Sequence, residues 1–221
     1  MIRVVVVDDE ALVRSGFRLI LGAAEDIEVV ATASGGEAVA TVRRERPDVL
    51  LLDIRMPDTD GLTVLREVQA LPQPPVVAML TTFDADEYVI AALRSGAAGF
   101  LLKDTDPDQL AQLVRTLAAG GVVMSPKASR AVWQNRPAVS PADGEAADLV
   151  AKLTEREREV LVLVAEGLSN AMIGKRMHLS AGTIKDHVSA ILAKLRITSR
   201  VQAALLAERA GLLDRPNRAT P

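Results

Sequence analysis

Apolar and polar positions along the first half of the chain alternate between two periods. Short continuous aliphatic runs predict buried strands, and longer stretches with apolar residues every three or four positions predict amphipathic helices. The predicted strands are Ile2–Val7, Ile27–Ala33, Val49–Leu52, Val76–Leu80 and Gly99–Leu102. The predicted helices are Ala11–Ala23, Gly35–Arg46, Leu62–Ala70, Ala85–Ser95 and Pro107–Ala119. Five βα units in this order predict an α/β fold, a doubly wound, mostly parallel sheet with helices on both faces.

The second half of the chain carries only helical patterning. A Thr-x-x-Glu capping box, Thr154 to Glu157, predicts the start of one helix, and Gly167 predicts its end. Ser169 and Ser180 stand where they would cap two further helices. The predicted helices are 155–166, Asn170–Met177, Ala181–Leu195 and Ser199–Ala210. This pattern predicts a small all-α domain built around a helix-turn-helix.

Proline, glycine, alanine and serine accumulate between the two halves and predict a linker. We therefore predict a first domain over 1–120, a linker over 121–151, a second domain over 152–213 and a tail over 214–221. From Lys152 onward 12 basic residues oppose 7 acidic ones, a net charge of +5, whereas the preceding residues carry −8. An acidic first domain and a basic second domain indicate different partners.

Composition excludes several classes of protein. The chain has no cysteine, which excludes disulfides, thiolate metal sites and a cysteine nucleophile and fits a reducing compartment. No apolar run approaches the roughly 20 residues that a membrane helix requires, and Asp8–Glu10 interrupts the apolar N-terminus before it could serve as a signal peptide. We expect a cytoplasmic protein without a membrane partner.

Candidate chemistry lies where the strands end. Asp8 and Asp9 follow the first strand and Asp53 follows the third, and these strands are neighbours in the order 2-1-3-4-5. Three converging carboxylates repel one another unless a hard cation such as Mg²⁺ lies between them. Thr81 and Lys103 follow the fourth and fifth strands, and a hydroxyl with an ammonium suits a phosphoryl group transferred to the Asp53 carboxylate. Each residue alone could equally be a helix cap or an ordinary loop residue.

The segments 6–10, 51–57, 80–82 and 99–104 resemble the receiver domain of bacterial response regulators. The resemblance implies a flavodoxin-like (βα)5 fold that takes its phosphoryl group from a sensor histidine kinase. It implies the following roles: Asp53 as phosphoacceptor; Asp8, Asp9, Asp53 and the backbone carbonyl of Arg55 as Mg²⁺ ligands; Thr81 and Phe100 as the switch pair; and Lys103 as the cationic partner. Arg55 and Phe83 flank the site, and their bulk is expected to slow dephosphorylation by keeping water out.

The segment 154–200 resembles the LuxR-type helix-turn-helix, and the two halves together resemble the NarL/FixJ family of response regulators. By position, the resemblance implies that Lys185, Asp186 and Ser189 face bases. It implies that Thr183, Lys194 and Arg200 meet phosphates of double-stranded DNA, and that the last helix forms a dimer contact. Gly174 stands where the family commonly has alanine, which predicts a less stable helix.

Three functions remain open from the sequence. The favoured one is a transcription regulator, not an enzyme, whose phosphorylation controls homodimerisation and DNA binding. A metal-dependent phosphatase or phosphotransferase using Asp53 is the second, although no second acid or base is predicted near Asp53. A regulator that uses its first domain only as a dimer scaffold, independently of phosphorylation, is the third, and the intact set of pocket residues argues against it.

Overall fold

The computed structural model describes residues 1–81, 86–124, 142–197 and 199–213. These residues form two compact units, one ending at residue 124 and the other beginning at residue 142. Phe83 and the predicted tail lie outside the described residues. No helix in the described part of the chain is long and apolar enough to cross a membrane.

The first unit contains a five-stranded sheet in the order β2-β1-β3-β4-β5, with every neighbouring pair parallel, as predicted. The strands are β1 Ile2–Val7, β2 Ile27–Ala33, β3 Val49–Asp53, β4 Val76–Thr81 and β5 Gly99–Leu102. β3 and β4 each continue one residue beyond the predicted ends, so Asp53 and Thr81 are the last residues of their strands. The sheet itself therefore positions both side chains.

Four helices connect consecutive strands of this sheet, and a fifth follows β5. They are α1 Ala11–Gly22, α2 Ala38–Glu45, α3 Gly61–Gln69, α4 Asp86–Arg94 and α5 Pro107–Ala118. The predicted helix Gly35–Arg46 starts instead as a 3-10 turn, Gly35–Glu37, before α2. Successive residues of a strand point to opposite faces of the sheet, and in β3 and most of β1 the residues on both faces are buried. Both strands therefore appear in the sequence as unbroken apolar runs rather than as alternating patterns.

Ordered packing of the first unit continues past residue 120. Val123 forms an isolated parallel β-bridge with Gly99, and its carbonyl accepts a 2.8 Å hydrogen bond from the Phe100 N–H. A Cβ on Gly99 would stand 2.4 Å from the Val123 oxygen, so only glycine allows this approach. Val123 is buried in the same core as α1 and α5, and it protects the outer edge of β5.

The second unit consists of helices. They are α6 Ala142–Ala151, α7 Glu155–Ala165, α8 Asn170–Met177, α9 Ala181–Leu195 and α10 Arg200–Arg209. α6 falls inside the predicted linker, and its Val150 belongs to the core of this unit. The segment lacks an obvious apolar period, which explains why its helical structure was not predicted.

The predicted capping signals around the helix-turn-helix are present. Thr154 and Glu157 form both hydrogen bonds of a capping box, and Ser169 and Ser180 accept from backbone N–H groups of α8 and α9. Gly167 adopts a positive φ of 85° directly after the C-cap residue of α7.

Gly174 has a packing role that its helix propensity does not reveal. A Cβ there would stand 2.6 Å from the Leu179 carbonyl oxygen, in the turn between α8 and α9. The Gly174 carbonyl also accepts from the N–H groups of His178 and Leu179, with His178 in the left-handed region. The prediction that glycine simply weakens this helix was incomplete, because the missing Cβ permits a close turn.

Candidate functional site

An ammonium group joins the two buried carboxylates at the carboxyl edge of the sheet. Asp8 is 0% exposed and Asp53 is 3% exposed. Lys103 Nζ lies 2.9 Å from Asp8 Oδ2, 3.0 Å from Asp53 Oδ2 and 3.6 Å from Glu10 Oε1. The predicted strand order brings these groups together because Val7 pairs with Leu52 in adjacent strands.

The electrostatics of this cluster are unbalanced. Burial raises the pKa of Asp53 to about 6, and the nearby Asp8 charge adds to the effect, while the hydrogen bond from Lys103 opposes it. Burial acts to lower the pKa of Lys103, but its hydrogen bonds to Asp8 and Asp53 outweigh burial and raise it. One ammonium group thus serves two buried carboxylates and leaves negative charge for a further cation to offset.

Carboxylate oxygens of Asp8, Asp9 and Glu10 all lie within 4.8 Å of one another. These hard oxygen donors, with the buried Asp8 among them, fit Mg²⁺. The Arg55 N–H faces Asp53 Oδ1 at 3.4 Å, so the backbone at Arg55 passes beside the same edge. Glu10 was not among the predicted ligands, although it belongs to the same acidic run as Asp8 and Asp9.

Thr81 and Phe100 occupy neighbouring strands beside this cluster. Thr81 is buried, and its carbonyl accepts a 3.0 Å hydrogen bond from the Lys103 N–H. Phe100 pairs with Met79 in the sheet and is 1% exposed. Thr81 therefore adjoins the ammonium-bearing loop, and the Phe100 ring is part of the core.

A depression of about 500 Å³ adjoins Asp53 and is lined by residues 54–60 and Tyr88. The Arg55 guanidinium lies over the Tyr88 ring, with its carbon 5.3 Å from the ring centroid, a cation–π contact. Arg55 thus joins the loop after β3 to α4. The companion prediction for Phe83 lies outside the described residues.

Gly61 sets how closely α3 approaches the site, a role that the sequence did not reveal. A Cβ on Gly61 would stand 2.2 Å from the Asp53 carbonyl oxygen and 2.8 Å from that of Ile54. Its N–H donates to the Ile54 carbonyl at 3.0 Å. The only signal in the sequence was the Asp60-Gly61 pair, which suggested a turn.

In the second unit, α9 carries five of the six predicted DNA-contacting residues, all of them exposed: Thr183, Lys185, Asp186, Ser189 and Lys194. Thr183 Oγ1 lies 2.9 Å from the hydroxyl of the cap residue Ser180. Ser189 Oγ donates to the Lys185 carbonyl at 2.9 Å. The short polar side chains and Lys185 thus form a surface that can enter a major groove.

Two residues of that set, Arg200 and Lys194, have partners on other helices of the unit. Arg200 is 6% exposed and donates to Asn170 Oδ1 at 2.9 Å and to the Leu168 carbonyl oxygen. Burial lowers the pKa of Arg200 to about 10. The prediction that Arg200 meets DNA phosphate is corrected, because its guanidinium connects α10 to the start of α8 instead.

Lys194 is held by Glu157. Its Nζ lies 2.7 and 2.8 Å from the two Glu157 carboxylate oxygens, although 43% of the Lys194 side chain is exposed. The ammonium predicted to meet DNA phosphate therefore already has an ionic partner in α7.

Comparison with known proteins agrees with this architecture. Residues 4–115 match the family model of the response regulator receiver domain, and residues 151–207 match that of the bacterial regulatory proteins of the luxR family. The transcriptional regulatory protein YxjL of Bacillus subtilis is 37% identical over 216 residues, which cover 96% of this chain and 98% of YxjL. The transcriptional activator DevR/DosR of Mycobacterium tuberculosis is 36% identical over 208 residues, 94% of each chain.

Solved structures lead to the same family. The response regulator ChrA of a heme-sensing two-component system is 34% identical, with a TM-score of 0.51 over 96% of this chain and 98% of ChrA. The receiver domain of the NarL regulator of Mycobacterium tuberculosis is 38% identical, with a TM-score of 0.51 over 54% of this chain and 97% of that domain. The chain therefore belongs to the NarL/FixJ family of two-component response regulators, which join a receiver domain to a LuxR-type DNA-binding domain and regulate transcription.

Proposed function

We propose that Asp53 accepts a phosphoryl group from a phosphohistidine of a sensor histidine kinase and thereby controls dimerisation and sequence-specific DNA binding. The observation that carries the proposal is the burial of Asp53 at the end of β3, with its Oδ2 3.0 Å from Lys103 Nζ. A carboxylate in this position is a nucleophile beside a fixed positive charge.

The transfer follows from the groups present. An Asp53 carboxylate oxygen attacks phosphorus, the bond from phosphorus to the histidine nitrogen breaks, and its electron pair returns to the imidazole. The Lys103 ammonium offsets charge on the phosphoryl oxygens, and the Thr81 hydroxyl donates a hydrogen bond to one of them. Mg²⁺, held by Asp8, Asp9, Asp53 and the Arg55 carbonyl, would supply further positive charge to those oxygens.

The signal reaches the output through the switch pair. Thr81 ends β4 and Phe100 lies on the adjacent β5. Movement of Thr81 toward the phosphoryl group opens space that the Phe100 ring fills, which reshapes the surface of α4, β5 and α5. We propose that the new surface either pairs two first domains or releases the DNA-binding domain.

Double-stranded DNA is the proposed partner of α9. Lys185, Asp186 and Ser189 face base edges, and Thr183 at the N-terminal end of the helix meets phosphate. Two copies joined through α10 would then address two half-sites. Asp186 suits cytosine, whose exocyclic amine is a donor in the major groove.

The test is the solution mass of the full chain with Mg²⁺, before and after a small-molecule phosphodonor. Wild type is expected to incorporate phosphate and shift from monomer to dimer, and Asp53→Asn to do neither. Asp26→Asn is the matched control, because Asp26 is an exposed acid of the same unit, paired with Arg115.

Other outcomes separate the alternatives. Phosphate incorporation without a change of mass would favour release of a masked DNA-binding domain over dimerisation. Failure of wild type to incorporate phosphate would favour a scaffold that works independently of phosphorylation. Turnover of more than one equivalent of a phosphoester would favour the alternative of a metal-dependent phosphatase or phosphotransferase.

A further inference from the structure

The side chain of Glu157 connects two helices of the DNA-binding unit. It is 7% exposed, and its Oε2 accepts from the Thr154 N–H at 2.9 Å and from the Thr154 hydroxyl at 3.0 Å. Both of its oxygens also accept from Lys194 Nζ, in the last turn of α9. A single carboxylate therefore caps α7 and binds the helix that carries the proposed base-facing residues.

The remaining contacts of α9 with its unit are largely apolar. Ile184, Ile191 and Leu195 lie in the buried cluster shared with α7 and α8. Such contacts stabilise the helix without strict directionality, because burial depends on area more than on orientation. A charged hydrogen bond with both carboxylate oxygens is directional and short. It is therefore the contact best suited to set the rotation and axial position of α9.

We propose that Glu157 is a positioning residue for DNA recognition, holding α9 in its reading orientation through Lys194. The inference rests on the proposed function of α9. Lys185 lies nine residues before Lys194, about 14 Å along the helix axis. A small tilt at the Lys194 end therefore displaces the side chains that must meet base edges. In this role Lys194 acts through Glu157 and does not supply a phosphate contact.

One substitution separates the two roles of Lys194 by the sign of its effect. Glu157→Gln keeps a hydrogen-bonding side chain that serves at the third position of a capping box, but it removes the ionic partner of Lys194. If Lys194 were a phosphate contact, freeing it and removing a nearby negative charge would strengthen binding to DNA. If Glu157 positions α9, the same change weakens specific binding.

The experiment uses the full chain treated with a phosphodonor and a DNA duplex enriched from a randomised pool. Dissociation constants are measured for that duplex and for a scrambled one, over a range of salt concentrations. The variants are Glu157→Gln, Lys194→Gln, the double variant and Lys194→Arg, which retains a cation for Glu157. Glu155→Gln is the matched control, the same change at an exposed position of the same helix.

We expect Glu157→Gln and Lys194→Gln each to weaken binding to the enriched duplex by about tenfold, with little change for the scrambled duplex. The double variant should be no weaker than either single variant, because the two residues act as one unit. Lys194→Arg and Glu155→Gln should bind like wild type. The salt dependence should stay unchanged, since no phosphate contact is lost.

Several results would overturn the positioning role. They are tighter or unchanged binding by Glu157→Gln, additive losses in the double variant, or a salt slope reduced by about one in Lys194→Gln. Loss of affinity for both duplexes alike would also count against it, because misplaced reading residues should impair the enriched duplex more. If wild type enriched no duplex at all, the proposed function of α9 would fail, and this inference with it.

Discussion

Lysine–carboxylate contacts occur in both units, and the two contacts have opposite electrostatics. In the first unit, Lys103 is shared between Asp8 and Asp53, and burial raises the pKa of Asp53 to about 6. In the second unit, Lys194 pairs with Glu157, the one carboxylate that it contacts among the described residues, and the hydrogen bond from Lys194 lowers the pKa of Glu157. The same two chemical groups thus leave the pocket around Asp53 short of positive charge, which we call its charge deficiency. In the Glu157–Lys194 pair, which we call the clamp, each charge is balanced by its partner.

The difference separates a carboxylate suited to reaction from one suited to a structural role. Glu157 accepts hydrogen bonds from Lys194 and from both donors of Thr154, so its charge is well compensated. Asp53 shares one ammonium with Asp8. The effect of burial, which raises the pKa of Asp53, exceeds the effect of its hydrogen bonds, which lower it. A buried carboxylate short of partners suits a bound cation or chemical modification, whereas a saturated one suits geometry.

The largest effect should come from the backbone beneath the pocket, which has no counterpart at the clamp. In Gly61→Ala the new methyl group would meet carbonyl oxygens of Asp53 and Ile54, neither of which can move like a flexible side chain. We expect the free energy of unfolding to fall by about 3 kcal/mol, measured by urea denaturation. Gly16→Ala is the control, since nothing lies near its Cβ position, and it should stabilise by about 1 kcal/mol. Equal effects at the two glycines would contradict the close approach.

The charge deficiency of the pocket predicts a pH-dependent metal affinity. Because a raised pKa keeps Asp53 protonated below about 6, and a cation binds its ionised form, Mg²⁺ affinity should rise with pH through this value and level off above it. We expect about tenfold weaker binding at about pH 5 than at about pH 7, measured by calorimetric titration. Asp53→Asn should bind more weakly and lose this dependence. If the Mg²⁺ affinity of wild type did not change over this pH range, the pocket would not be short of positive charge.

The Glu157–Lys194 pair predicts a pH dependence of stability, which lies at lower pH than that of metal affinity. A carboxylate with a lowered pKa in the folded state contributes stability above its unfolded value of 4.5, and this contribution disappears as pH falls through the folded pKa. Glu157→Gln should therefore lower the free energy of unfolding by about 1 kcal/mol near neutral pH. The gap from wild type should close below about pH 4. Glu155→Gln is the control, and a gap that persisted in acid would mean that the charge of Glu157 is not responsible.

The smallest expected effect concerns water access to the pocket. Arg55, stacked on Tyr88, lines the depression beside Asp53. In Arg55→Ala we expect the aspartyl phosphate to hydrolyse about threefold faster, a barrier lowered by about 0.6 kcal/mol, measured from the loss of radiolabelled phosphate. Tyr88→Leu tests whether the stack is needed to hold the guanidinium in place. An unchanged half-life of the aspartyl phosphate in Arg55→Ala would contradict the hypothesis that Arg55 keeps water away from Asp53.

Local patterns in the sequence predicted most of the fold because each depends on residues close together in the chain. Capping at Thr154, Ser169 and Ser180 needs only the next three residues. The acids Asp8 and Asp53 end apolar runs, and parallel strand order brings such ends to one edge. The helix α6 was not predicted because its sequence lacks a clear apolar period, and only the structure shows that Val150 packs in the core of the second unit.

The sequence by itself determined the order of the strands and helices, the edge at which the acids meet and the exposed polar face of α9. Only the tertiary structure decided which groups the charged side chains contact, because the partners are far apart in the chain. Glu157 and Lys194 are separated by 37 positions, and Arg200 and Asn170 by 30. From the sequence alone, a basic residue on a helix of a DNA-binding domain is a candidate phosphate contact. Only the structure shows whether another side chain of the protein already binds it. Burial with Asn170 removes Arg200 from the set of phosphate contacts, and the ion pair with Glu157 gives Lys194 a partner within its own unit.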